Sequence, residues 1–176
     1  MGAVNPFQPG AEIHAGDPFA VPDADKSPVR RLRGRLASAV TLWTTTGPAG
    51  LTVSSMMVAD GDPGRVLGLV DEESDFFDAV QQTRHFAIVP LTASDQQLAD
   101  RFAGLMPAPG GLFASGDWVD TDYGPVPPGT WVGCTLDAHR AYGWGQLIEA
   151  TIATVHLGEA GPPLLHHRGR YRRLAH

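Results

Sequence analysis

The sequence predicts a mainly β protein, an antiparallel barrel or sandwich with a few short helices. Six or seven segments have the apolar and β-branched composition of strands, and most are separated by short turns. Such connections are too short for repeated β-α-β units, which favours antiparallel pairing. The chain has 176 residues, 43% of them hydrophobic and 18% charged, so it is most simply one globular domain.

Residues 1–27 differ in composition from the rest of the chain. They are rich in proline and glycine and show no hydrophobic periodicity, which predicts a loosely structured N-terminal arm. Ser27 followed by Pro28 is typical of a helix start. We therefore expect the folded domain to span residues 28–176 and to begin with a short helix.

The strands are predicted from runs of β-branched and apolar residues that end at glycine- or proline-containing turns. The last of them falls within a terminal segment that is rich in arginine. The predicted strands lie at residues 39–46, 51–57, 65–70, 85–91, 130–140, 144–157 and within 164–174.

Two further short helices are predicted between the strands. Residues 71–82 combine an acidic start with apolar residues at helical spacing. Ser94 and Gln97 have the spacing of a capping box, which predicts a helix that follows Ser94 and ends at Gly104. Residues 105–130 are rich in glycine and proline and are predicted as a loop.

Composition narrows the possible functions. The formal net charge of −6 argues against a general nucleic-acid role. No apolar run approaches the roughly 20 residues of a membrane-spanning helix, and the N-terminus has no signal-peptide core. The single Cys134 excludes an intramolecular disulfide and a cysteine-cluster metal site, which suits a reducing cytoplasm. No metal site is predicted.

Arginine is concentrated in two short clusters on this acidic chain. Guanidinium groups bind phosphate as bidentate forks, so these clusters could meet a phosphorylated ligand. Solvated charge on two outer faces is the alternative interpretation. The clusters are Arg30, Arg31, Arg33 and Arg35 near the start, and Arg168, Arg170, Arg172 and Arg173 at the end.

The predicted strand LTVSSMM, residues 51–57, contains adjacent hydroxyls at Ser54 and Ser55. Strict alternation would turn only one of them to solvent. The pair could mark a bend or bulge at which each serine bonds its own backbone. It could instead line a ligand that is rich in hydrogen-bond acceptors. The residues alone leave both interpretations open.

Three stretches of the chain resemble the flavin reductase-like, FMN-binding split-barrel family. They are VTLWTTTGPAGLTVSSMMVADGDPGRVLGLVDEES, RHFAIVPLTASDQQLADRFAG and LLHHRGRYRRL, and the similarity runs from about Val29 to Leu174. The resemblance implies a six-stranded antiparallel split β-barrel, a homodimer and one flavin per subunit near the dimer interface. It also implies that NADH or NADPH reduces FMN, or FAD, for transfer to a separate monooxygenase.

The resemblance also implies a set of site residues. A serine at the start of a helix suits a phosphate because the helix dipole favours an anion there. The catalytic candidates are His166 and Tyr171, which the resemblance implies near the nicotinamide, with Arg168 beside them. Flavin binding is expected from Thr52, Val53, Ser54, Ser55, Ser74, Phe102, Ala103, Gly104 and Arg168.

Three positions depart from the family pattern and support a second hypothesis. Glu73 and Asp75 place acid beside the expected phosphate contact at Ser74, where relatives carry a basic residue. Trp144 stands where a histidine is usual near the nicotinamide. The alternative is therefore a non-catalytic carrier or sensor of the same fold, which would bind flavin, deazaflavin or haem.

Overall fold

The structure, a computed structural model, describes residues 26–174. The predicted N-terminal arm therefore lies outside the described residues, except for its last two positions. In residues 26–174 the chain forms three helices and ten strands. They are α1 Pro28–Gly34, β1 Ser38–Ala39, β2 Thr41–Thr45, β3 Ala49–Val53, β4 Met56–Ala59, β5 Arg65–Val70, α2 Asp75–Thr83, β6 His85–Pro90, α3 Gln96–Phe102, β7 Trp131–Tyr142, β8 Gly145–His156, β9 Leu165–His167 and β10 Arg170–Arg172.

Seven of the strands form one antiparallel sheet in the order β3-β2-β6-β7-β8-β5-β4. If this sheet were flat, its edge strands β3 and β4 would lie about 29 Å apart. Only Ser54 and Ser55 join them, and such a link spans about 11 Å at most. The sheet must therefore curl to bring its edges together at this link, which we call the seam. The Leu69 amide of β5 donates to the Ser55 carbonyl at 2.9 Å and extends the β4–β5 pairing to the seam.

The mainly β prediction with short helices is confirmed, whereas the count of six strands is wrong. The predicted strand 51–57 is two strands, because β3 pairs with β2 and β4 pairs with β5, and the chain passes between them at Ser54–Ser55. The terminal segment forms a hairpin of β9 and β10, which pairs with β1 in a separate three-stranded sheet.

The barrel interior is an apolar cluster centred on aromatic rings. Trp43 and Phe86 stack with ring centroids 4.9 Å apart, and Phe76 of α2 meets Trp43 edge to face at 6.0 Å. Gly68 of β5 passes close to the indole, since a Cβ there would lie 2.7 Å from Trp43 Cζ2. Burial of these large rings accounts for much of the hydrophobic stabilisation.

A second apolar cluster lies on the other face of β2 and β6 and includes α3. Phe102 of α3 packs on Gly50, where a Cβ would lie 2.7 Å from its ring. The two clusters together bury every residue of β2. No helix among residues 26–174 is long and apolar enough to cross a membrane.

The helix starts differ from the predictions at two of three positions. Ser27 caps α1 as predicted, with its hydroxyl accepting from the Arg30 amide at 3.2 Å. The second helix begins after Ser74 rather than at residue 71. The predicted capping box is wrong, because Asp95 precedes α3 and its carboxylate accepts from the Thr92 amide instead.

Candidate functional site

A cleft of about 810 Å³ opens where three parts of the fold meet. These are α1, the Ser54–Ser55 seam of the barrel, and the turn between β9 and β10. Ligand sites in proteins commonly have volumes of about 300–1,000 Å³. Four predicted site residues line this cleft, namely Ser54, Ser55, His166 and Arg168.

The two serines are held at the seam through their neighbours. Thr41 Oγ1 donates to the Val53 carbonyl at 2.6 Å, and the Ser55 carbonyl accepts from the Leu69 amide. Both serine side chains are half-buried. Within the described part of the chain, neither hydroxyl hydrogen-bonds another group. This favours a ligand-facing role over the interpretation in which each serine bonds its own backbone.

His166 lies on β9, opposite Ser38 of β1 and Tyr171 of β10. Its ring meets the Tyr171 ring edge to face, with centroids 6.1 Å apart. The Tyr171 hydroxyl in turn donates a hydrogen bond to Asp100 of α3, whose side chain is buried with 5% exposure. β9 therefore places His166 in the cleft, and its neighbour β10 is hydrogen-bonded to α3 through Tyr171.

The pKa of Tyr171 is raised well above its ordinary value. Burial is the largest cause, followed by the charge of Asp100 and the hydrogen bond to it. The phenol therefore stays protonated at neutral pH and is not set up as a general base. Its hydrogen bond to Asp100 and its ring contact with His166 suit a role for Tyr171 in positioning His166.

Arg168 begins the turn that brings the terminal hairpin to α1. Its φ of 55° is left-handed, and Gly169 follows with a φ of 75°. The Arg168 amide donates to the Gly34 carbonyl at 2.8 Å. The end of α1 and the hairpin turn thus form one continuous rim of the cleft.

Cationic side chains dominate the lining of the cleft. Among residues 26–174, no acidic side chain lines it. Guanidinium groups and serine hydroxyls are the donors that phosphate oxygens accept from in proteins. The cleft therefore suits a phosphorylated ligand in both volume and donor chemistry. The cationic lining residues are Lys26, Arg30, Arg31, Arg33, Arg35 and Arg168.

Three predicted flavin contacts take part in packing. The Thr52 hydroxyl donates to the Ala99 carbonyl of α3 at 2.7 Å, and Val53 is buried in the barrel core. Phe102 is buried in the second cluster. Thr52 and Val53 nonetheless lead directly into the seam at Ser54, so their place in the flavin site stays a prediction.

Ser74 caps α2 and does not line the cleft. Its hydroxyl accepts from the Phe77 amide and donates to the Asp71 carbonyl at 2.6 Å. Asp75 lies in the first turn of α2, where the helix dipole favours negative charge. The acid beside Ser74 thus has a structural explanation, and a flavin contact at Ser74 stays a prediction.

The remaining predicted positions are exposed and lie outside the cleft lining. Ala103 and Gly104 follow α3, and Gly104 adopts a left-handed φ of 74°. Trp144 is fully exposed at the tip of the β7–β8 hairpin. Whether these residues meet a flavin stays a prediction. Among the described residues, no group of three His, Cys, Asp or Glu side chains could hold a metal ion.

The structure adds functional candidates that the sequence did not assign to the site. The arginine cluster of residues 30–35 was visible as a composition signal, but nothing in the sequence placed it beside the serine pair. Nothing in the sequence indicated the role of Asp100, because an aspartate within a polar stretch of helix is expected to face solvent. Its burial follows from the packing of the terminal hairpin over α3.

The fold and the cleft define a class of protein: a curled seven-stranded antiparallel barrel with a cleft lined by cationic side chains and serine hydroxyls. The family described as "Flavin reductase like domain" matches residues 33–175. The chain belongs to this family.

Individual relatives agree with that assignment. The FMN reductase (NADH) RutF 2 of Methylorubrum extorquens is 34% identical over 167 residues, which cover 91% of this chain and 94% of that protein. The structure of the Streptomyces globisporus NADH:FAD oxidoreductase SgcE6 with NAD and FAD fragments has a TM-score of 0.77 at 25% identity, over 89% and 96% of the chains.

A third similar protein is a nitrilotriacetate monooxygenase component B homologue from Mycobacterium thermoresistibile. Its structure has a TM-score of 0.76 at 26% identity, and the match covers 84% of this chain and 85% of that one.

Proposed function

We propose that this protein is an NADH-dependent FMN reductase. The observation that carries the proposal is the pair of hydroxyls of Ser54 and Ser55, which hydrogen-bond no group among residues 26–174 and line a cleft whose described residues are cationic and not acidic. The names of the relatives support FMN as acceptor and NADH as donor. The overall reaction transfers a hydride from NADH and takes up one proton, giving NAD⁺ and reduced FMN.

Each residue has a defined role in this proposal. Thr52, Val53 and Ser54 offer the seam backbone and hydroxyls to the flavin ring, while Ser55 and Arg168 bind the phosphate. Hydride transfer needs the two rings held in contact and no acid from the protein. His166 therefore acts by holding the nicotinamide, and Tyr171 acts through His166 as a positioning residue.

Further flavin contacts, from Ser74, Phe102, Ala103 and Gly104, belong to the proposal as secondary positions. They lie outside the cleft lining, so variants there should affect flavin affinity less than variants at the seam. A carrier or sensor is the second candidate, and the observation that favours it is Trp144 at the position where a histidine is usual.

The test is the visible absorption of the purified protein with FMN, followed by anaerobic addition of NADH and then NADPH. A bound flavin that bleaches supports the reductase, and the nucleotide whose addition bleaches it is the donor. A bound flavin that stays oxidised would favour the carrier. We expect Ser54→Leu to weaken FMN binding about tenfold or more by filling the seam, whereas the matched surface variant Ser94→Leu leaves it unchanged. Full FMN affinity in Ser54→Leu would contradict the site.

A homodimer and an oxygenase partner complete the proposal. β4 is an edge strand, and its Met57, 65% exposed, shares the outer face of the sheet with Leu67 and Leu69 of β5. Val58 lies on the other face of the strand and is 61% exposed. A second copy packed along this edge would bury these apolar side chains. The relative named as a monooxygenase component supports delivery of reduced flavin to an oxygenase. A cytoplasmic location is part of the proposal.

A further inference from the structure

The cleft carries more positive charge than one phosphate group requires. Six cationic side chains line it, and five of them precede β1 in the chain. FMN has a single phosphate, which Ser55 and Arg168 at the seam and hairpin turn could bind. We infer that the arginines of α1 bind the diphosphate of a dinucleotide. This inference rests on the proposed function of the cleft and extends it to a second ligand group.

Helix α1 has no role in the apolar core that would account for its presence. None of its residues is buried, and its last carbonyls meet the hairpin turn through the Arg168 amide. Its start is fixed by the Ser27 cap. α1 is thus capped at its start, hydrogen-bonded to the hairpin turn at its end and buried nowhere, and the side chains that it presents to the cleft include Arg30, Arg31 and Arg33.

In the part of the chain that the structure describes, no acidic side chain balances the charge of the α1 arginines. Within residues 26–174, the side chains of Arg30, Arg31, Arg33 and Arg35 are in no ion pair. Like charges on successive helical turns repel each other. A ligand with several negative charges relieves that repulsion and gains charge-assisted hydrogen bonds. Inorganic phosphate has fewer oxygens to share among these groups than a diphosphate has.

Two dinucleotides could supply this diphosphate. One is the nicotinamide donor, which must reach the flavin in the same cleft, and the other is FAD taken in place of FMN. The shared chemistry is a diphosphate that lies along α1 while the ring system lies at the Ser54–Ser55 seam.

The first experiment measures binding of inorganic pyrophosphate by calorimetry, to the wild type and to Arg30→Gln/Arg33→Gln. Glutamine keeps helix propensity, and the Ser27 cap uses the backbone amide of Arg30, so α1 is expected to remain folded. We expect the double variant to bind pyrophosphate about tenfold more weakly. We also expect pyrophosphate to raise the melting temperature of the wild type more than that of the variant.

Arg140→Gln is the matched control, because Arg140 is an exposed arginine of β7 that does not line the cleft. It should bind pyrophosphate like the wild type. An equal loss in Arg140→Gln would show a simple net-charge effect and overturn the inference. Equal pyrophosphate affinity of the wild type and the double variant would overturn it as well.

Two further measurements on the double variant identify which dinucleotide supplies the diphosphate. If the donor supplies it, the KM for NADH rises about tenfold while kcat and the Kd for FMN stay unchanged. If FAD supplies it, the Kd for FAD rises while that for FMN does not. Wild-type values for both NADH and FAD would overturn the inference. Pyrophosphate binding without any flavin reduction would instead reject the proposed reductase and leave the diphosphate site standing.

Discussion

At the residue scale, the contact between Tyr171 and Asp100 connects the cleft with the second apolar cluster. A buried carboxylate is costly unless it is hydrogen-bonded, so the phenol that donates to Asp100 stabilises the folded state. The same phenol packs against His166 in the cleft. Stability and the placement of His166 therefore depend on one side chain, the first through its hydroxyl and the second through its ring.

We predict that Tyr171→Phe lowers the free energy of unfolding by about 1–3 kcal/mol at pH 7, because Asp100 loses a hydrogen-bond donor. The variant should also change how the free energy of unfolding depends on pH in the alkaline range. The folded-state pKa of Tyr171 is raised, so the unfolded state releases this proton first, from pH about 10 upward, and wild-type stability falls there.

Denaturant unfolding between pH 7 and 11 checks this prediction. The difference between wild type and Tyr171→Phe should shrink as the pH rises above about 10. Tyr142→Phe is the control, since Tyr142 is half exposed on β7 and outside this contact. A constant difference across the whole pH range would contradict the hydrogen bond to Asp100.

At the element scale, α1 and α2 are both capped by a serine but differ in what they bury. α2 buries Phe76, Phe77 and Val80, whereas α1 buries none of its residues. Loss of a serine cap costs about 1 kcal/mol of helix stability. That cost should reach global stability only where the helix is part of the core.

We predict that Ser27→Ala leaves the global free energy of unfolding nearly unchanged but speeds tryptic cleavage at the arginines of α1. Ser74→Ala should show the reverse, with global stability lower by about 1 kcal/mol and no faster cleavage within α1. Urea unfolding and limited trypsin digestion measure the two effects. Equal behaviour of the two variants would contradict the peripheral position of α1.

The elements also show what the sequence could and could not predict. The strand at residues 85–91 is observed at His85–Pro90, because a short apolar run between turn signals has a clear pattern. The division at Ser54–Ser55 was missed, because strand composition continues across it and only the pairing partners change. Ser94 and Asp95 are both good cap residues, but the side chains of both bond Thr92, and Asp95 makes no cap hydrogen bond to α3.

The site was predicted in part, for a similar reason. Ser54, Ser55, His166 and Arg168 belong to local motifs, and the fold brings them into one cleft. Phe102 lies in an equally clear motif, but long-range packing against Gly50 turns it into the second cluster. Sequence patterns identify segments near a site, whereas tertiary packing decides which side chains face it.

At the scale of the whole molecule, the barrel exposes apolar side chains at the edge formed by β4 and β5. We predict that Val58→Lys converts a dimer to a monomer, because a lysine buried in an apolar interface loses its hydration. Sedimentation velocity at micromolar protein concentration measures the change. Val119→Lys, at a half-exposed valine in the long loop, should leave the dimer intact.

A monomeric wild type would reject the dimer, and a dimeric Val58→Lys would move the interface away from β4. Both outcomes can be read without a flavin assay. The oligomeric state and the chemistry of the cleft can therefore be tested separately.

The seam at Ser54–Ser55 also has a consequence for how the protein folds. Neighbours in the chain, β3 and β4 stand at opposite ends of the strand order, so their edges meet only when the five strands between them are paired. Such closure depends on contacts that are distant in sequence, which form slowly. A ligand that binds at the seam should therefore bind no partly folded intermediate. The rate at which such a ligand binds during refolding would therefore measure the last step of barrel assembly.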